Sequence, residues 1–228
     1  MPLPPLLLLA APAFAWEVQT TPDGVETAWG AMPIAYKVAL DERLSGEAVE
    51  AVHQAFLTWS KVSEAEARFA GGESLDAPRA AGFDDTHSVF IDDAWPYGDE
   101  ALALAATWAD EASGEIVHFD LRINPDLPWG TDGEPEMYDL QSAITHEVGH
   151  VLGLDHSVER EAAMYAELEE GELRQVLHFD DEDAVRYLYA PAADEAGGPM
   201  PIACTTGPSG APLLLLCLLP LGLRRRSS

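Results

Sequence analysis

Apolar and polar positions alternate with a period of two along residues 33 to 40, PIAYKVAL, which predicts a half-buried strand. The period then lengthens. In LSGEAVEAVHQAFLTWSKV, residues 44 to 62, Val49, Val52, Phe56 and Trp59 recur at helical spacing, with Ser45 as the expected N-cap and glutamates in the opening turns. Short apolar runs at EARFAG, HSVFID, LALAATW and EIVHFDLRIN, separated by acidic, glycine-containing loops, predict four further strands between residues 66 and 124. Helical spacing returns in DLQSAITHEVGHVLGL, residues 139 to 154, where Asp139 is placed to cap the helix. A third helix is expected in DDEDAVRYLYA, residues 180 to 190, capped around Asp180 or Asp181. One strand, one helix, four strands and two helices, with no internal repeat, predict an α+β domain: a twisted mixed sheet of about five strands with three helices.

The two ends break these patterns. Residues 1 to 15, MPLPPLLLLAAPAFA, form an apolar run closing on Ala13-Phe14-Ala15, as in a secretory signal peptide cut before Trp16. Four prolines make that stretch a poor strand. The globular domain is then residues 16 to 190, followed by a Pro/Ala/Gly linker at 191 to 203 and a tail at 204 to 228. The tail holds the apolar run APLLLLCLLPLGL and ends in Arg224, Arg225 and Arg226. Its apolar run is short for a bilayer span, which needs roughly 20 residues, and the arginines would stay cytoplasmic. A membrane-associated or transmembrane tail is expected, either as a sorting address or as a plain anchor. Its cysteine, hydrophobic stretch and arginine cluster resemble the MYXO-CTERM type of C-terminal sorting tail on bacterial surface proteins.

Charge narrows the partners. Forty acidic residues against twelve basic ones give a formal net charge of −28, so nucleic acid is excluded as a plausible ligand. Only Cys204 and Cys217 are present, and no disulfide framework can hold the central domain. A monomer, secreted or at the cell surface, is expected.

The chemistry concentrates in HEVGHVLGLDH, residues 146 to 156. On a helix, His146 and His150 lie one turn apart on one face and can present two nitrogens to one metal. Glu147 projects beside them, close enough to reach a metal-bound water without replacing it. Gly153 can adopt a left-handed conformation, ending the helix and turning the chain so that His156 reaches the third ligand position. Three neutral imidazoles with an open fourth position describe a catalytic zinc site rather than a structural one. A bare H-E-x-x-H arises by chance often enough to need support; the extension to Gly153 and His156 supplies it.

This extended motif resembles that of the metzincin zinc proteases, and AAMYA, which puts Met164 eight residues after His156, resembles their Met-turn. Weaker matches to the matrixins, the matrix-metalloprotease-like group, spread over residues 29 to 190: Trp29, IAYKV, AFLTWSKV, LAATW, GEIVHFDLRIN and DDEDAVRYLY. The resemblance implies a metzincin-like catalytic domain with the active-site helix beneath the cleft. It implies hydrolysis of peptide bonds in extended protein substrates by a zinc-bound water, with Glu147 as general base. Substrate is expected along an edge strand at 102 to 108, around Ala105, with a specificity pocket walled by Met164, Tyr165 and residues 166 to 178. Tyr165 could also support the oxyanion or simply pack.

The chain also departs from the family pattern. No cysteine precedes residue 204, so latency is expected to be absent or to use a carboxylate such as Asp23. Residues 92 to 101 contain no histidine, which argues against a second zinc; His118 is then a strand residue facing solvent or a neighbouring side chain. Calcium could sit near Asp92, Asp93, Asp99 and Asp120, although acidic loops in so acidic a chain are usually just solvated. His53, His87 and His178 receive no role, and Asp155 could orient a ligand or simply lie at the surface. The competing function is a surface binding or adhesion module that keeps zinc for stability; Glu147 argues against it, because a retired site has no need of a base.

Overall fold

The computed structural model describes residues 15–44, 46–73, 80–98, 101–191 and 213–220. Five strands follow the sequence pattern: β1 (Ile34–Ala39), β2 (Phe69–Glu73), β3 (Ser88–Ile91), β4 (Ala101–Ala109) and β5 (Ile116–Ile123). Two-residue strands β6 (Trp129–Gly130) and β7 (Tyr138–Asp139) pair in parallel just before the second helix. The main sheet runs β2-β1-β3-β5-β4-β8, where β8 is Leu213–Pro220 from the tail. All neighbours are parallel except β4, which is antiparallel to both β5 and β8, so the sheet is mixed as expected.

Helix α1 (Ala48–Ser60) packs Val52, Phe56 and Trp59 into the main core, with Val49 partly buried at its margin. Tyr36 of β1 stacks on Phe56 with ring centroids 3.8 Å apart. Burying each such side chain contributes on the order of 1.5–3 kcal/mol. Trp59 also donates its indole N–H to the Thr145 carbonyl at 2.8 Å, fastening α1 to α2 (Leu140–Val151). Through that bond and its packing, the first helix holds the motif-bearing helix against β4.

The helix caps differ in part from expectation. Asp139 does cap α2, accepting the Ser142 amide at 2.7 Å. Ser45 lies outside the described residues, and the N-cap of α1 is Glu47, whose side chain makes no cap bond. Helix α3 (Phe179–Tyr189) is capped by His178 rather than by Asp180 or Asp181. The His178 ring accepts the Asp180 amide while Asp181 accepts the His178 amide at 2.8 Å, a reciprocal box with imidazole in the usual hydroxyl position.

The tail contributes an element that its sequence pattern does not predict. Among the described residues no helix is long and apolar enough to cross a membrane, so the transmembrane reading finds no support. Residues 213–220 instead form β8 along β4, and β4 is therefore not an open edge.

Candidate active site

Local sequence dictates how the triad assembles. Helix α2 ends at Leu152, and Gly153 follows with φ +92°, in the left-handed region. The Gly153 amide donates to the His150 carbonyl and the Leu154 amide to the Gly149 carbonyl, both at 3.0 Å, closing a Schellman turn. A Cβ on Gly153 would also collide with the Thr27 carbonyl, so both conformation and space require glycine. The reversed chain brings His156 back over α2. Ring centroids of His146, His150 and His156 lie 4.7 to 5.2 Å apart.

Each helix imidazole is aimed by a backbone acceptor. His146 Nδ1 lies 2.8 Å from the Ala163 carbonyl and His150 Nδ1 2.8 Å from the Leu154 carbonyl. With those nitrogens donating, both Nε2 lone pairs face each other across 3.0 Å. Two nitrogens about 2.1 Å from one tetrahedral ion would be roughly 3.4 Å apart, a small opening from the observed distance. His156 Nε2 is buried without a hydrogen-bond partner, a cost that a bound ion would remove. Among the described residues this is the one group of three side chains able to hold a metal, and its donor set fits zinc.

Burial makes the imidazoles neutral. His146 and His150 are fully screened from solvent, which, with repulsion from the neighbouring rings, lowers His146 well below its ordinary value and His150 to about 4. His156 is lowered too, chiefly by burial. Neutral rings are the form that ligates. Glu147, on the same helix, is buried, and its Oε2 accepts the Ala105 amide of β4 at 2.6 Å.

Met164 is buried against α2. Its sulfur and the Trp59 ring occupy the space beside Gly149, where a Cβ would overlap both. Asp181 accepts the Ala163 and Met164 amides at 2.8 and 3.0 Å, tying this turn to α3. Burial raises the Asp181 carboxyl, and the three amide bonds oppose that shift. Tyr165 is half-buried with the guanidinium groups of Arg160 and Arg174 over its ring, a packing arrangement. Beside His146, a tight cleft with no room for a water molecule is lined by Ser142, His146, Ala163, Tyr165, Leu168 and Arg174.

Sequence reasoning missed the N-terminal brace. Residues 15 to 19 run along the loop carrying His156: Val158 donates to Ala15, Asp155 to Glu17, and Gln19 to Gly153. The Gln19 side-chain amide lies 3.0 Å from the Leu154 carbonyl and 3.3 Å from His150 Nδ1. Asp23 is exposed in a turn of this segment, and no bond from it to the triad occurs among the described residues. Asp155 accepts the His156 amide at 2.8 Å and so shapes the loop rather than holding an imidazole.

The aspartates outside the triad bond protein groups. Arg122 pairs with Asp92 and Arg43 with Asp93, while Asp120 accepts the Gly82 amide at 2.9 Å. Asp99 lies outside the described residues. His118 is fully buried, not solvent-facing, and its Nδ1 lies 3.1 Å from His87 Nδ1. His53 bonds the Tyr36 hydroxyl at 2.8 Å.

A model of the matrixin family, Peptidase_M10, matches residues 28–190. Metalloendoproteinase 5-MMP of Arabidopsis thaliana is 28% identical over 171 residues, covering 72% of this chain and 46% of that protein. Metalloendoproteinase 4-MMP of the same plant is 42% identical over 101 residues, covering 42% of this chain and 28% of that protein. Matrix metalloproteinase-18 of Xenopus laevis is 26% identical over 183 residues, covering 74% and 34% respectively. The chain thus spans less than half the length of these curated relatives. With the histidine triad inside the matched span, the chain belongs to the matrixin family.

Proposed function

We propose that this protein is a zinc-dependent endopeptidase, exported and held at the cell surface or released, that hydrolyses peptide bonds in extended segments of protein substrates. The observation that carries the reading is a buried carboxylate on the same helix as two of three convergent, neutral imidazoles. His146, His150 and His156 would hold the ion. Zinc bound there supplies a Lewis acid that polarises the scissile carbonyl and acidifies water. Glu147, held by the Ala105 amide, takes a proton from the attacking water at one carboxylate oxygen and returns it to the leaving amine. The surrounding apolar residues of β4 and α2 exclude bulk water from that transfer. The cleft beside His146, with Tyr165 and Arg174 among its walls, would take a substrate side chain only as those walls move apart. Export follows from the signal-like residues 1 to 15, and surface sorting from the composition of residues 204 to 228.

Zinc content and casein cleavage, measured on wild type and Glu147→Ala, test this reading. The expected result is about one zinc in both proteins and cleavage by wild type only. Zinc in both with cleavage in neither, whatever the state of the tail, would turn the assignment to a metal-stabilised binding module.

A further inference from the structure

The apolar tail has a seat on the catalytic domain. Strand β8 runs antiparallel to β4, placing Leu218, Cys217, Leu216, Leu215 and Leu214 opposite Leu104, Ala105, Ala106, Thr107 and Trp108. It also lies against α2, the helix that carries His146, Glu147 and His150. The register sets Cys217 opposite Ala105, the residue whose amide holds Glu147. The tail therefore crosses the sheet edge at the level of the candidate base.

Both partners are suited to pairing. Residues 101 to 109, ALALAATWA, contain no charge and no proline, so the edge lacks the features that usually keep a strand from recruiting another. Residues 213 to 220, LLLLCLLP, are likewise uncharged, with proline only at the last position. In a chain with a net charge of −28, this pairing brings no like charges together. Residues 191 to 212 connect α3 to β8, long enough at about 3.3 Å per residue to span the domain.

We infer that residues 213–220 are the built-in occupant of the β4 edge and hold the protease latent in the full-length chain by filling the groove that an extended, uncharged substrate segment would enter. The inference rests on the proposed endopeptidase reading for its consequence but not for the occupancy itself. It places latency at the C-terminal end of the domain, where no upstream cysteine is needed. Because the tail is tethered, its effective concentration at the groove is on the order of millimolar, so even an intrinsic Kd of about 0.1 mM would leave the groove covered roughly ten to one. Processing of the tail, or its transfer into a membrane, would then uncover β4.

The test compares the full-length chain with Leu215→Pro/Leu216→Pro. Successive strand N–H groups point to opposite sides, so replacing two adjacent residues removes at least one donor to β4 and disfavours the paired conformation without adding charge. Hydrogen exchange of the amides in 101–109 should be faster in the variant, with β5 exchange unchanged as evidence of an intact domain. Casein cleavage should rise about tenfold, matching the ten-to-one coverage. Equal exchange of 101–109 in the two proteins, with β5 protected in both, overturns the occupancy. Faster exchange with equal, measurable cleavage overturns the latency. Faster exchange with no cleavage by either protein upholds the occupancy and overturns the endopeptidase reading instead.

Discussion

The backbone amide of Ala105 donates to Oε2 of Glu147 at 2.6 Å, joining the middle of β4 to the carboxylate of α2. This bond separates two substitutions that otherwise look equivalent. Glu147→Gln keeps a carbonyl acceptor for the amide but loses the base, so cleavage should fall by about 10²–10⁴ with thermal stability nearly unchanged. Glu147→Ala also leaves a buried N–H without its acceptor, adding a cost of about 1–3 kcal/mol. Denaturant titration of the zinc-loaded proteins distinguishes them; equal stability for Gln and Ala would mean that the bond contributes nothing.

Gln19 acts on the metal site from the other end of the chain. Its amide lies between the Leu154 carbonyl and His150 Nδ1, the two groups that set the tilt of that imidazole. Gln19→Leu should weaken zinc binding by about 10–100-fold while leaving the fold in place. Chelator competition measures this directly, and an unchanged zinc affinity would reduce Gln19 to packing.

Gly149 reverses the ordinary helix expectation. By intrinsic propensity, glycine to alanine in a helix interior gains about 1 kcal/mol. Here the added Cβ would overlap Met164 Sδ and crowd the Trp59 ring, so Gly149→Ala should instead lose about 1–3 kcal/mol through overpacking. The double substitution with Met164→Ala relieves the sulfur clash but opens space beside α2. A stabilised Gly149→Ala, read from its denaturation midpoint, would show that the Met164 turn yields easily.

Arg174 limits the cavity beside His146. It is buried, donates to the Glu167 carbonyl at 2.5 Å, pairs with Glu172 at 2.6 Å, and lies over Tyr165. The space it helps enclose is too tight for a water molecule, so the site should prefer small side chains there. Arg174→Ala should shift relative kcat/KM toward longer apolar side chains by about tenfold, comparable to one or two methylenes of pocket contact. A peptide series differing at one position would reveal it; an unaltered preference would place the specificity pocket elsewhere.

Much of this architecture is legible in the sequence because local periods and tertiary burial agree. Val52, Phe56 and Trp59 repeat at helical spacing and do face the core, and the period-two stretch around Tyr36 is a strand. The triad is legible because its three ligands lie within eleven residues, governed by one helix and one glycine. Gln19 is not, since its approach to His150 spans 131 positions and depends on tertiary pairing. His178 escaped because imidazole is an uncommon cap, while the aspartates after it satisfy the usual rule. The tail strand is not legible for a different reason: a continuous apolar run has no period of its own, so the surface available to it decides whether it becomes a strand or enters a membrane.

His87 gives the fold an acid-sensitive point away from the zinc ligands. Its ring stacks on Phe119 and meets His118 at 3.1 Å, and burial, reinforced by that second imidazole, lowers its pKa to about 4 against the partial opposition of Asp84. Above about pH 6.5 the ring is neutral in both folded and unfolded chains and contributes no pH dependence. Below that, the unfolded chain takes up a proton that the folded chain refuses, so stability falls progressively as pH drops from about 6.5 toward 4. His87→Gln removes the titrating group and should flatten this part of the curve, whatever its effect at neutral pH. Unfolding free energies for both proteins at several values in that window provide the comparison. Parallel curves would mean that His87 is protonated as readily in the folded protein as in the unfolded one.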